Sequence, residues 1–527
     1  MVSEKHAENG EKEDRRIHRR STSSLWSCDF ETAIDVAGFG KFNFFLLVVT
    51  ILTGLIAVFE VRTMPYVAPA AQCDLELDVK QKAMLSSAPL LGMVMTSFIW
   101  GLIGDLIGRR KLIIIICLLD FICWIVSAFA QTFAVLIVFR LFGGMAASGI
   151  LPSLATYVAE THGVKHRAVM LLLLGNIFGV GDLLLPTMAL GILTNDQIYK
   201  VSSLVMHPWN SFLLICSFLP FLGGIGFYLL PESPKFLMSK RENDKAIDAF
   251  QSIYSLNSNR NTKSDYPVKS LKKYNIDGAG NLDVPPENSG GSCTAQMSLC
   301  LEAEYLKKIL LVVPAQFLIL LGLNSFGLWL PQIFEKMSEP SRDYENCSSS
   351  AFCLTMSHLQ NTTRKFTGDC QQTQKLMTYI DCMLAAVLTL ILFGISVLVV
   401  NGIGKRKLIL TLGVAWSISV CCLWFSKNPI ATMVALAFIC AFGNVAFNGL
   451  VAIVTDIFPT HLRAMAVSIT MMFGRLGGGL SSFIFPLFLT YGCFITLVVL
   501  ASLNFVWMFL VHLLPRDNTE QSAKAVD

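Results

Sequence analysis

Stretches of about twenty consecutive apolar residues recur along this chain from residue 42 to residue 514. A helix rises 1.5 Å per residue, so each stretch can cross the roughly 30 Å hydrocarbon core of a bilayer. They lie near 42–66, 84–104, 112–130, 134–158, 169–192, 210–231, 308–334, 377–400, 408–426, 430–457, 465–489 and 491–514. Twelve spans of this kind predict an all-α membrane protein, because in lipid the backbone must bond to itself. Composition closes off the alternatives. With 54% hydrophobic and 15% charged residues and a mean hydropathy of +0.58, the chain carries more apolar surface than water-soluble domains can hide. A net charge of +4 is too small to suggest nucleic-acid binding, and 15 cysteines are too dilute for a disulfide scaffold.

The spans divide the chain. Residues 1–41 read as a mostly disordered tail, in which Arg15, Arg16, Arg19 and Arg20 are interleaved with Glu11, Glu13 and Asp14. Because the first apolar run follows this polar segment, no cleavable signal peptide is expected. A first half spans 42–231, a central loop 232–307 with an amphipathic helix over 240–254, a second half 308–514, and a tail 515–527. Lys and Arg concentrate between spans 2 and 3, 4 and 5, 8 and 9, and in the central loop. The positive-inside rule then makes those loops and both termini cytoplasmic. The two Asn-x-Ser/Thr sequons, at Asn346 and Asn361, fall in the loop 335–376 on the opposite face, where N-glycans are added. Cys73, Cys347, Cys353 and Cys370 share that oxidising side and suffice for two disulfides, with three connectivities open. Residence in the plasma membrane or an intracellular vesicle, as a monomer, is expected.

An internal repeat is the most informative feature. Asp-Leu-Ile-Gly-Arg-Arg-Lys-Leu at 105–112 returns as Asn-Gly-Ile-Gly-Lys-Arg-Lys-Leu at 401–408, an offset of 296. At that offset Glu160 falls on Asp456 and Arg167 on Arg463. Two six-span halves repeated in parallel suit a transporter that rocks one half against the other. Asp105, Arg109, Arg110, Glu160, Arg167, Glu232, Asp456 and Arg463 are the expected cytoplasmic gate, ion pairs that differ between two states. The acids argue for a latch, since acids contribute little to orientation.

These residues carry a likeness. Gly101-x3-Asp105-x2-Gly108-Arg109-Arg110-Lys111 resembles the signature loop of the major facilitator superfamily, and Arg140-x2-Gly143-x5-Gly149-x2-Pro152 its fourth helix. Pro231-Glu232-Ser233-Pro234-Lys235-Phe236-Leu237 and Asp456-Ile-Phe-Pro459-Thr-x2-Arg463 are similar to the sugar-porter motifs after helices six and ten. Phe30-Glu31-x-Ala33, Gly38 to Phe42, and Glu60 ahead of Pro69 and Cys73 resemble the synaptic vesicle glycoprotein 2 and related-protein branch. The resemblance implies the twelve-helix major facilitator fold, alternating access and a glycosylated loop between spans 7 and 8. The chain departs from the branch at Ala57 and Val451, where acids are usual, and at Phe447, where tryptophan is expected. Neither proton coupling nor drug binding therefore follows from the likeness.

Ionisable groups inside spans are costly and so point to function. Glu60 lies about 27 Å above the start of span 1, and Arg140 about 30 Å above Glu160 in descending span 4. The two are thus expected to pair, with Glu60 standing in for the acid missing at Ala57, three residues away on the same helix face. Asp182, followed by Pro186, is expected to face a central cavity. Asn176, Asn324, Trp329, Asn444, Phe447 and Asn448 complete an expected lining of amides and aromatics that suits a polar or weakly cationic organic solute. Asp120 and Arg475 read as packing charges, and Arg62 and Asp381 as residues near the interface. No phosphate loop, metal-ligand spacing or nucleophile–base set occurs, so no cofactor, metal or catalysis is expected. The chain reads as a solute transporter, with a non-transporting receptor of the same fold as the alternative.

Overall fold

The computed structural model describes residues 27–175, 177–194, 199–201, 204–258, 266–271, 302–337, 350–362, 376–458 and 460–514. The chain begins with a short strand, β1 (Ser27–Cys28), and helix α1 (Phe30–Ala37). The first half follows with α2 (Lys41–Arg62), α3 (Met64–Ala70), α4 (Val79–Thr96), α5 (Ile99–Ile107), α6 (Arg109–Ala128), α7 (Phe133–Ala147), α8 (Ile150–Thr161), α9 (Val164–Gly175) and α10 (Ile177–Leu193). It closes with a hairpin of β2 (Tyr199–Val201) and β3 (Leu204–Met206), then α11 (Pro208–Leu229). Helices α12 (Pro234–Ser239) and α13 (Asn243–Asn257), with β4 (Ser270–Leu271), form the described part of the central loop. The second half comprises α14 (Ala303–Gly327), α15 (Leu330–Met337), α16 (Ala351–Thr362), α17 (Leu376–Ile403), α18 (Lys405–Phe425), α19 (Pro429–Ile457), α20 (Thr460–Leu489) and α21 (Cys493–Leu513).

Eleven described helical segments are long and apolar enough to cross a bilayer. The twelfth span is broken: α4 and α5 meet at 55° around Ser97 and Phe98. The fold is the twelve-helix, two-half architecture expected from the repeat. Outer spans keep apolar side chains such as Leu118, Ile122, Phe218, Leu398, Ile418 and Phe509 on the surface, where only lipid can cover them. The repeat reaches the backbone as well. Gly108 and Gly404, again 296 apart, end spans 2 and 8 at φ of 100° and 85°, a left-handed region that glycine enters without steric penalty.

The halves meet through α4 against α20 and α10 against α17. On the sequon-bearing face, α3 touches α15 and the ring of Tyr66 stacks on that of Tyr379 at 6.3 Å. The boundary of the first segment shifts. Residues 30–37, placed in a disordered tail by their polar surroundings, form a helix because Phe30, Ala33, Ile34 and Ala37 make one apolar stripe. Asp29 caps it by accepting the Thr32 N–H, and Phe30 packs against Phe250 of α13. β1 pairs in parallel with β4, tying this segment to the central loop.

The disulfide pattern is also corrected. Cys353 bonds to Cys493, a residue read from the sequence as part of span 12. Helix α16 folds over the ends of spans 9, 10 and 12, its Ala351 N–H donating to the Ser426 carbonyl at 2.9 Å. That brings Cys353 onto the first residue of α21. Cys73 is disulfide-bonded too, whereas Cys347, Cys370 and Asn346 lie outside the described residues. Asn361 falls in the last turn of α16, and its side chain is outside the description.

Candidate functional site

Three groups of charge organise the molecule. The deepest joins spans 1, 3 and 4. Arg140 Nη1 donates to Glu60 Oε2 at 3.1 Å, and both side chains are fully buried. The guanidinium also donates from Nε to Ser127 Oγ at 3.0 Å and lies 4.1 Å from the Trp124 ring centre. Trp124 Nε1 in turn donates to Asp120 Oδ2 at 3.0 Å. Gly143 makes room for Glu60: a Cβ there would stand 2.5 Å from Oε1. Glu60 therefore turns into span 4 and does not replace the missing acid in the cavity. Three residues advance a helix by about 300°, so Glu60 sits 60° round from Ala57. That rotation separates a cavity-lining position from a sealed one.

The second group lines the space between the halves. One cavity of about 690 Å³ is bounded by Ala57, Val58, Arg62, Met93, Leu151 and Phe178 on one side. Leu323, Asn324, Asn444, Phe447, Met471 and Arg475 bound it on the other. A second, of about 550 Å³, shares Arg62, Leu323 and Asn444 with it and adds Asp182, Tyr66 and Cys382. Asp182 accepts from Arg62 Nε at 3.3 Å. Phe178 and Phe447 touch edge to face across the halves, 6.3 Å between ring centres.

Of the expected lining, Asp182, Asn324, Asn444 and Phe447 border these two cavities. Glu60 and Arg140 do not, because they seal each other off. Trp329 is buried against Phe485 instead, and Asn448 Nδ2 donates back to the Asn444 carbonyl at 2.9 Å. Asn176 lies outside the described residues. Sequence reasoning missed Arg62 and Arg475 as lining residues. The signal was present: Arg475 is an ionisable group inside an apolar span, a position that is costly in lipid and so points to function. Its Nη1 donates to Ser97 Oγ at 3.3 Å, at the break in span 2.

The third group occupies the face of the basic loops. Arg109 bonds Asp105 at 3.0 Å and Glu160 at 3.3 Å, and Ser233 Oγ donates to Glu160. Glu232 accepts the Arg110 N–H at 2.9 Å, an acid at the positive end of α6. Arg110 donates its side chain to the carbonyls of Phe227 and Tyr228. In the second half Lys405 pairs with Asp456. Arg167 does not join this network: it bonds Glu31 of α1 at 2.9 Å and the His162 carbonyl. Arg463 is exposed and has no acidic partner among the described residues. Every one of these latch pairs closes within its own half. Next to them, burial, with Arg167 and His166 close by, holds the His162 imidazole below its usual pKa.

Comparison with known proteins places this geometry. The model of the sugar (and other) transporter family matches residues 34–341, and that of the major facilitator superfamily matches 312–526. Synaptic vesicle glycoprotein 2A of Rattus norvegicus is 27% identical over 242 residues, 45% of this chain and 32% of that protein. Synaptic vesicle glycoprotein 2C of Mus musculus is 26% identical over 262 residues, 49% of this chain and 36% of that protein. The match thus spans about a third of the length of these curated relatives. Among solved structures, the xylose transporter of E. coli in a partially occluded inward-open conformation aligns with a TM-score of 0.63. It is 14% identical, covering 90% of this chain and all of that one, a likeness of fold. With its family model matched over more than half its length, the chain belongs to the sugar (and other) transporter family of the major facilitator superfamily and is related to the synaptic vesicle glycoprotein 2 proteins.

Proposed function

We propose that this protein carries a small organic solute across a membrane by alternating access, without an ATP site of its own. The observation that carries the reading is how the halves touch. On the sequon face they are joined by α3 with α15 and by Tyr66 with Tyr379. Lys82 of the first half and Glu335 of the second also interact electrostatically there. On the basic face the latch pairs Arg109–Glu160 and Lys405–Asp456 stay within their halves. Between the two faces lies a cavity lined by both halves. These contacts support a transporter open toward the basic loops, and the Lys/Arg bias of those loops supports termini and central loop on the cytoplasmic side. Asn346 and Asn361 then carry N-glycans on the other side.

The sealed Glu60–Arg140 pair and the alanine at position 57 speak for facilitative transport, or for coupling to something other than a proton at that pair. The competing reading is a transporter fold retained as a receptor; the relatives named vesicle glycoproteins favour it. The two are separated by access. A cysteine at Asn444, in a protein cleared of its free cysteines but keeping its disulfides and melting as the parent does, should react with a membrane-impermeant maleimide from either side of a proteoliposome. Reaction from one side only, under every condition, contradicts transport.

A further inference from the structure

We infer that the solute is an organic anion, a carboxylate or sulfonate on an apolar body, whose charge is met by Arg475. The inference rests on the alternating-access reading and adds the substrate class. Among the described residues, three arginines lie in the spans close to the halves' interface or cores, and two have acids. Arg140 has Glu60, with Asp120 nearby, and Arg62 has Asp182. Arg475 has a serine hydroxyl, and no carboxylate among the described residues lies within ion-pair distance of it. A guanidinium at membrane depth without an anion is expensive, and its fork of donors matches a carboxylate well.

The rest of the wall fits the same guest. Asp182 is the acid that lines this space, and it is already taken by Arg62, so the lining carries one positive charge in excess. Around Arg475 stand Val58, Met93, Leu151, Phe178, Phe447 and Met471, an apolar surface for a body of several carbons. Asn324 and Asn444 add neutral donors and acceptors. Among the described residues of this lining, a cationic solute would meet two guanidinium groups and no free carboxylate. This reverses the weakly cationic preference that the amides and aromatics alone suggest, because Arg475 lines the cavity and is not a packing charge. Arg475 also bonds Ser97 where span 2 breaks, so an anion that draws it away releases a contact between the halves.

The test is a thermal-shift comparison on the full-length protein in detergent. Three matched series serve as probes: ω-phenylalkanoates with two to six methylenes, the corresponding primary amides and the corresponding amines. A carboxylate should raise the melting midpoint and bind at least about tenfold more tightly than its amide. Arg475→Gln should erase that advantage, Arg475→Lys should keep part of it, and Arg475→Glu should turn the preference toward the amine. The lysine variant retains the charge and guards against misreading a folding defect. Equal stabilisation by amides or amines overturns the assignment, as does an undiminished carboxylate shift in Arg475→Gln. So does silence of all three series from protein shown to melt cooperatively. None of these results touches alternating access, which the maleimide reaction at position 444 tests without any solute.

Discussion

Arg109 meets Glu160 at 3.3 Å, and Lys405 meets Asp456 at the positions 296 residues further on. One ion pair has thus been kept twice, each time tying the turn after the second span of a half to the end of its fourth. The copies differ in burial. Arg109 and Glu160 are 17% and 12% exposed, Lys405 and Asp456 39% and 36%. Solvent screens the second pair more. Glu160→Gln should therefore cost more stability than Asp456→Asn, about 1–3 kcal/mol against less than about 1 kcal/mol. Chemical or thermal unfolding in detergent reads the difference, and equal losses would contradict it.

The Glu60–Arg140 cluster predicts an ordering of variants. Asp120 stands close enough to both for electrostatic interaction, so two acids share one guanidinium. Arg140→Gln leaves both acids without a cation and should destabilise by about 3–5 kcal/mol. Glu60→Gln leaves Asp120 to balance Arg140 and should cost less. The double variant should be more stable than Arg140→Gln alone, a coupling that a double-mutant cycle measures.

Of this architecture the spans, the repeat and the Glu60–Arg140 pairing were legible in the sequence, because each is a matter of hydropathy, offset or helical rise. What escaped depends on rotation about a helix axis or on contacts far apart in sequence. Depth alone put Glu60 beside Ala57 and Arg140 alike; the 60° between positions 57 and 60 decided which faces the cavity. Arg475 was visible as a charge, but the break at Ser97 that receives it was not. Cys493 was hidden by lying at the start of an apolar run, since its partner comes from a helix 140 residues earlier.

Peptide mapping should recover Cys353 linked to Cys493. Cys493→Ser should free α16 from the end of span 12 and lower stability by about 2–4 kcal/mol. The loss should match that of protein with both residues replaced. Recovery of Cys353 linked to Cys347 or Cys370 would contradict the fold of that face.

The contact between α1 and the first half should depend on pH. His162 is held below its ordinary 6.5 by burial, with its Nδ1 at 2.8 Å from the Val158 carbonyl and Arg167 and His166 close by. The other charges facing it are Asp35 and Glu31, beside Gly163 and Arg167. A depressed folded-state pKa means that the unfolded or undocked state binds the proton first. Docking is then unaffected above about pH 6.5 and weakens as pH falls below it. Protease protection of α1 should decline between pH 7.5 and 5.5, and His162→Gln should flatten the profile. An unchanged decline in that variant would contradict the assignment to His162.

The central claim is that the two halves rock about the cavity that holds Arg475 and Asn444. Spin labels at Leu106 and Lys407 report the basic face, and labels at Lys80 and Leu376 the sequon face. All four positions are exposed. Pulsed dipolar spectroscopy in nanodiscs should find two distance populations for each pair, with the basic-face distance shortening in the conditions that lengthen the sequon-face distance. A single, unchanging distance for both pairs across pH, detergent and added organic anions would contradict it, and would leave a transporter fold that does not transport.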